Sequence, residues 1–140
     1  MEPMMKTKRE VATLVPYRRT DKGLEFFLQQ RGMNPHPNAG LLDIFGGGLE
    51  AGETLEEALL REIREELEYV PRAYTYFSRY ENSTHTNNVF FEEVDGSFEN
   101  MVNVHEGTHG KFLTLEEAAK AKVFTQALLI LQELSRMLAR

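Results

Sequence analysis

No cysteine occurs in the 140 residues, which removes disulfides, thiolate metal sites and cysteine nucleophiles together. Any metal has to be held by oxygen or histidine. No apolar run approaches the roughly 18 residues of a membrane span, and nothing resembles a signal peptide, so a cytoplasmic protein is the default expectation. Excess positive charge is also lacking: the formal charge is −6, which argues against stable nucleic-acid binding. A phosphorylated small molecule stays open as a partner, because cations bound to carboxylates invert the local field. There is no linker or low-complexity segment. The LEEA at 55–58 and 115–118 merely follows a helix cap twice and is no internal repeat. What remains is ordinary globular composition, 41% hydrophobic and 27% charged, with a length that predicts one domain over 1–140 and a loose N-terminus over 1–9.

One stretch organises the chain, GGGLEAGETLEEALLREIREELEYV at 46–70. Four glycines in seven residues (46, 47, 48 and 52) imply backbone that bends sharply or approaches a ligand closely. Thr54 and Glu57 form a capping-box pattern, so a helix is expected from about Leu55. On a wheel at about 100° per residue, Leu55, Leu59, Ile63, Leu67 and Val70 share an apolar arc, with Ala58 and Tyr69 on its flank. Glu62 and Glu66 fall inside that arc, where an unpaired carboxylate is costly. A solvated helix laced with i,i+4 ion pairs accounts for Glu57, Arg61 and Glu65 but not for these two. With Glu65 they make an i, i+3, i+4 cluster of carboxylates, a donor set suited to Mg²⁺ or Mn²⁺.

Gly47, Glu53 after five intervening residues, and Arg61-Glu62-Ile63-Arg64-Glu65-Glu66 after seven more resemble the box of the Nudix hydrolases, G-x5-E-x7-R-E-U-x-E-E-x-G-U, with every charged position at the right spacing. Two positions depart from it. Glu68 stands where the box has its late glycine, whose absence bears on how the chain leaves the helix, and Phe45 stands where a proline often precedes the glycines. Neither removes a metal ligand.

The rest of the chain reads as alternating short elements. Residues 11–17 (VATLVPY) are expected to form a strand near a sheet edge or ended by Pro16, 18–23 a turn, and 24–30 (LEFFLQQ) the second hairpin strand, closed by Arg31. A loop over 32–40 holds His36, a rim residue rather than a ligand since no second histidine stands at metal-ligand spacing. A short strand at 41–45 leads into the glycines. After the helix come a strand at 73–80, a polar turn at 81–88 and a strand at 89–94. Phe90 and Phe91 must face opposite sides, with core the favoured place and a base-stacking cleft the alternative. Residues 95–103 read as a loop, 111–113 as the last strand, Thr114 as the cap of a short helix, and 123–138 as a long amphipathic helix over the other sheet face.

This order suggests an α+β fold, and the resemblance implies the α/β/α sandwich of the Nudix fold with a mixed central sheet. It further implies Mg²⁺, held by Glu62, Glu65, Glu66 and the Gly46 carbonyl, with Arg61 and Glu53 as positioning partners and Glu106 or Glu66 as general base. Arg31 would meet phosphates through its guanidinium fork, the alternative being a solvated strand end. Gln126 would read a base edge by its amide. The implied reaction is attack of water on phosphorus in a nucleoside diphosphate linked to X. A nucleoside triphosphate, oxidised or not, is the leading substrate, and NDP-sugars such as ADP-ribose are the alternative. Dinucleoside polyphosphates and RNA ends fit the acidic charge less well. A non-catalytic nucleotide-binding module is the competing class, and a homodimer is left open.

Overall fold

The computed structural model of the chain describes residues 8–31, 40–105 and 108–139. The strands are β1 (Arg9–Thr20), β2 (Gly23–Arg31), β3 (Leu42–Asp43), β4 (Phe45–Gly48), β5 (Thr75–Glu81), β6 (His85–Glu93) and β7 (Thr108–Thr114), and the helices are α1 (Leu55–Leu67), α2 (Phe98–Met101), α3 (Leu115–Lys120) and α4 (Thr125–Leu138). The sheet runs β3-β2-β1-β6-β5, with β4 also on β1 and β7 on β2. It is mixed, because β1 and β6 run parallel while the other strand pairs are antiparallel.

Alternation along β1 divides the core in two. Ala12 and Leu14 face α1 with Phe27, Phe45, Leu59, Ile63 and Leu67. Val15 and Tyr17 face α4 with Phe26, Leu28, Ile130, Leu131 and Leu134. Helices therefore cover both faces, the expected α/β/α arrangement. Among the described residues no helix is long and apolar enough to cross a membrane.

Several sequence expectations need correction. β1 opens at Arg9 and is interior, with β6 on one side and β4 then β2 on the other. Pro16 is tolerated there because on that second side β4 stops at Leu14 and β2 starts at Tyr17, so neither ladder needs its missing N–H. The turn expected at 18–23 narrows to Asp21-Lys22. The turn expected at 81–88 shrinks similarly: His85–Asn88 are strand, since β1 and β5 flank them, and Asn88 is buried with its amide donating to Glu10 Oε1 and the Val11 carbonyl. The loop expected at 95–103 contains α2, whose Phe98 is in the core. Phe90 and Phe91 both pack, one in each half of the core, and neither lines the cleft beside β4. His36 lies outside the described residues.

The helix expected over 55–70 ends at Leu67, and Val70 is half exposed. Glu68 turns the chain with φ 52° and ψ 38°, a left-handed conformation that costs a non-glycine residue about 1–2 kcal/mol. The segment after Glu68 is pinned to β6. The buried Glu92 carboxylate accepts from Tyr69 Oη at 2.7 Å, Arg72 N at 2.6 Å and Ala73 N at 2.5 Å.

Candidate active site

The glycines at 46–48 form a strand rather than the turn their density suggested. Close approach to backbone is what requires Gly46, while Gly47 and Gly48 abut the ends of flexible side chains. A β-carbon on Gly46, at φ 144°, would lie 2.2 Å from the Ala12 carbonyl oxygen; one on Gly48 would lie 2.3 Å from the Arg9 guanidinium. Gly47 packs directly on the Glu62 carboxylate, so the glycines of β4 put no side chain of their own between the strand and that group.

The start of α1 follows local chemistry. Thr54 Oγ1 accepts from Glu57 N while the Glu57 carboxylate accepts from Thr54 N, the reciprocal capping box. Glu57 is thereby spent on the cap, and Arg61 turns to other partners. Its Nε and Nη2 donate to the two Glu53 oxygens at 2.7 and 2.9 Å, Nη2 also donates to the Gly48 carbonyl at 2.9 Å, and Nη1 donates to Glu62 at 2.9 Å. Glu53, which also accepts from Glu50 N, is pulled down to about 2, first by Arg61 and then by that N–H. Glu53 first, and Glu62 after it, push Arg61 upward.

Glu66 is the opposite case. One oxygen accepts from Gly46 N at 2.8 Å, yet burial first, and the neighbouring charges of Glu62 and Asp43 after it, push the carboxyl up to about 8. A cation fits such a group, whose anion is only partly offset by the Gly46 N–H and the charge of Arg31. Glu65 differs again: it is exposed and only 3.5 Å from Arg61 Nη1. Among the described residues, no three carboxylates or histidines are gathered closely enough to hold a metal by themselves. Oxygen donors from Glu62, Glu66 and the backbone of β4 are the set present, and they are of the hard kind that Mg²⁺ takes.

On its other side β4 opens into a cleft of about 620 Å³. Arg31 and Asp43, the backbone of Gly46–Gly48, Asn87 and the first turn of α4 line it, including Phe124 and Gln126. Leu42 places that turn, since Leu42 N donates to the Lys122 carbonyl and Phe124 N donates to the Leu42 carbonyl. Arg31 and Gln126, 95 residues apart in sequence, thus line one cavity. Arg31 Nη2 pairs with Asp43 at 3.2 Å, while its buried Nε has no partner among the described residues. Burial raises the Asp43 carboxyl. A larger groove of about 940 Å³ between the β1–β2 turn and α3–α4 touches none of the candidate catalytic, metal or substrate residues.

Glu53, Arg61, Glu62 and Glu66 therefore converge behind the glycine strand, with Glu65 at the margin, and Arg31 and Gln126 stand in front of it. Glu106 lies outside the described residues. Sequence reasoning missed Arg9, Asp43, Asn87 and Phe124 in the cleft. Asp43 carried a signal, as the single charge in an apolar run (LLDIF); Asn87 carried none, being one of several polar residues in an expected turn. It accepts a hydrogen bond from Thr13 Oγ1 at 2.7 Å across the sheet.

The NUDIX domain family profile matches residues 7–134. The chain belongs to the Nudix family, the pyrophosphohydrolase family whose box its sequence resembles. Solved structures share the fold. The NUDIX domain of Shewanella oneidensis NrtR complexed with ADP ribose has 17% identity and a TM-score of 0.77, covering 96% of this chain and 90% of that one. A MutT from the study of the Aliivibrio salmonicida and Vibrio cholerae enzymes has 17% identity and a TM-score of 0.74, covering 94% and 99%. A C. elegans Ap4A hydrolase has 22% identity and a TM-score of 0.72, covering 94% and 98%. None of the curated proteins matches this sequence.

Proposed function

We propose that the chain is a Mg²⁺-dependent hydrolase of a nucleoside diphosphate linked to a further group X. The leading substrate is a nucleoside triphosphate, oxidised or not, cleaved to monophosphate and pyrophosphate. One observation carries this reading: Glu62 and Glu66 lie against the backbone of the three glycines of β4, which also line a cleft holding Arg31 and Gln126.

In this reading Glu62, Glu66 and the Gly46 carbonyl would hold the cation, with Glu65 as the further carboxylate of the set. Bound there, Mg²⁺ would neutralise charge on the phosphates and acidify the attacking water. Arg61 holds Glu62 in place through Nη1, as an outer partner fixes a ligand, and Glu53 holds Arg61 by a bidentate pair. Water attacks phosphorus, the bond to the leaving phosphate oxygen breaks, and Glu106 or Glu66 accepts the water's proton. Arg31, whose Nε has no partner among the described residues, meets the phosphates by charge-assisted hydrogen bonds. The Gln126 amide reads a base edge, and Phe124 offers a ring beside it.

The test is product analysis of a panel (dGTP, 8-oxo-dGTP, dCTP, ADP-ribose, diadenosine polyphosphate) with Mg²⁺ against EDTA. Mg²⁺-dependent monophosphate and pyrophosphate from one triphosphate supports the reading. Preferred cleavage of ADP-ribose moves the chain to the NDP-sugar branch. Binding without turnover of any compound favours a nucleotide-binding module.

A further inference from the structure

Glu68, at the position where the sequence departs from the Nudix box, is the one non-glycine residue with positive φ among the described residues. Its N–H donates to the Arg64 carbonyl at 2.9 Å, closing the last turn of α1. Its side chain reaches the segment beyond α2: Oε2 accepts from Asn103 Nδ2 at 2.6 Å and lies 3.1 Å from His105 Nε2. The backbone of that segment returns the grip. Asn103 N donates to the Leu67 carbonyl at 2.9 Å and His105 N to the Glu66 carbonyl at 3.1 Å. A helix end leaves its last carbonyls without partners, and here two of them are capped by chain that is distant in sequence.

We propose that Glu68 is a positioning residue whose clasp on Asn103 and His105 fixes the last turn of α1, and with it the Glu66 carboxylate. The proposal rests on reading Glu66 as a metal ligand. Glu66 is held at both ends: its carbonyl takes the His105 N–H, and its carboxylate takes the Gly46 N–H at 2.8 Å. Helix ends open before helix middles, so slackening the first hold lets the turn that aims the second one fray. Glycine at 68 would adopt the same backbone without strain but has no side chain with which to grip.

Stability and function should therefore separate. In Glu68→Gly, relief of the left-handed backbone offsets the lost contacts, and Tm stays within about 3 °C of the parent or rises. Amide exchange at Asn103 and His105, measured without metal, nevertheless quickens by about tenfold. Mn²⁺ affinity falls about fivefold or more, and kcat falls about tenfold with KM little changed. Glu68→Gln keeps an acceptor for Asn103 and retains parental values. Asn103→Ala reproduces the loss, and Glu68→Gly with Asn103→Ala is no worse than either alone. Parental exchange and Mn²⁺ affinity in Glu68→Gly would overturn the proposal. If Glu66→Gln binds Mn²⁺ as tightly as the parent, the ligand reading fails instead, and the exchange rates alone decide the clasp.

Discussion

Gly47 and Glu62 face each other so closely that a β-carbon on residue 47 would lie 2.4 Å from the Glu62 carboxyl carbon and 2.6 Å from each of its oxygens. The contact sets how near α1 can come to the cleft. In Gly47→Ala the Glu62 side chain must swing away and release Arg61 Nη1. The clash falls on the end of a flexible side chain, so stability changes little, whereas misplacing a catalytic group by about 1 Å costs about 100-fold in kcat. Gly52→Ala is the control. Its φ of +83° is strained for alanine, by about 1 kcal/mol, but nothing lies within 4 Å, so activity should stay near parental. Urea melts and steady-state kinetics on both variants check the contrast, and equal activity in the two would refute it.

Arg61 spends its donors on Glu53, Glu62 and the Gly48 carbonyl, a fork that a lysine ammonium cannot reproduce. Glu53, held at about 2 against an ordinary 4.5, is a lowered group. Its contribution to stability is present above about 4.5 and is lost as pH falls toward about 2. Arg61→Lys removes most of that lowering, so its acid-unfolding midpoint moves to higher pH and kcat drops at neutral pH. Tm measured from about pH 2 to 6 reads the first effect; a curve parallel to the parent's would show that the fork does not hold Glu53.

Glu92 is 2% exposed and accepts from Tyr69, Arg72 and Ala73. Glu92→Ala strands two backbone N–H groups and a hydroxyl, and should cost about 3 kcal/mol or more. Tyr69→Phe deletes one donor only and should cost about 1 kcal/mol. Urea denaturation separates them. A loss below about 1 kcal/mol for Glu92→Ala would mean that water replaces the carboxylate at little cost.

What was legible in the sequence was local. Thr54 and Glu57 gave away the start of α1 because a capping box involves residues three apart, and Glu62 and Glu66 stood out as charges within an apolar arc. The end of α1 was misread because Glu68 takes its conformation in a setting supplied by Asn103 and His105, which no window around residue 68 contains. β1 read as an edge strand because a proline within a strand usually marks one; only the switch from β4 to β2 explains Pro16. His85–Asn88 read as a turn because their polarity is local while their partners are distant, Asn88 meeting Glu10 and Val11 across the sheet. The cleft was the least legible part. Asp43, Asn87 and Phe124 become neighbours only through the β2–β3 pairing, the β1–β6 pairing and the docking of α4 on Leu42.

Removing metal should expose Glu66. With EDTA present its carboxyl sits at about 8, raised above the ordinary 4.5 chiefly by burial. A raised carboxyl binds its proton more tightly in the folded chain than in the unfolded one. Its contribution is therefore fully present below about 4.5 and is lost as pH rises through about 8. The metal-free Tm should fall by a few degrees across that window, with Asp43, also raised by burial, adding slope in the same direction. Glu66→Gln carries no titrating group at this position and flattens most of the decline. Mg²⁺ favours the anion, so it should raise Tm most at the alkaline end and displace a proton as it binds within the window. Scanning calorimetry with and without Mg²⁺ measures the first effect, and titration calorimetry in buffers of different ionisation enthalpy measures the second. An EDTA slope that Glu66→Gln leaves unchanged would place the titrating group elsewhere. The same slope abolished in that variant, together with loss of proton release, would tie the acidic group behind the glycine strand to the cation.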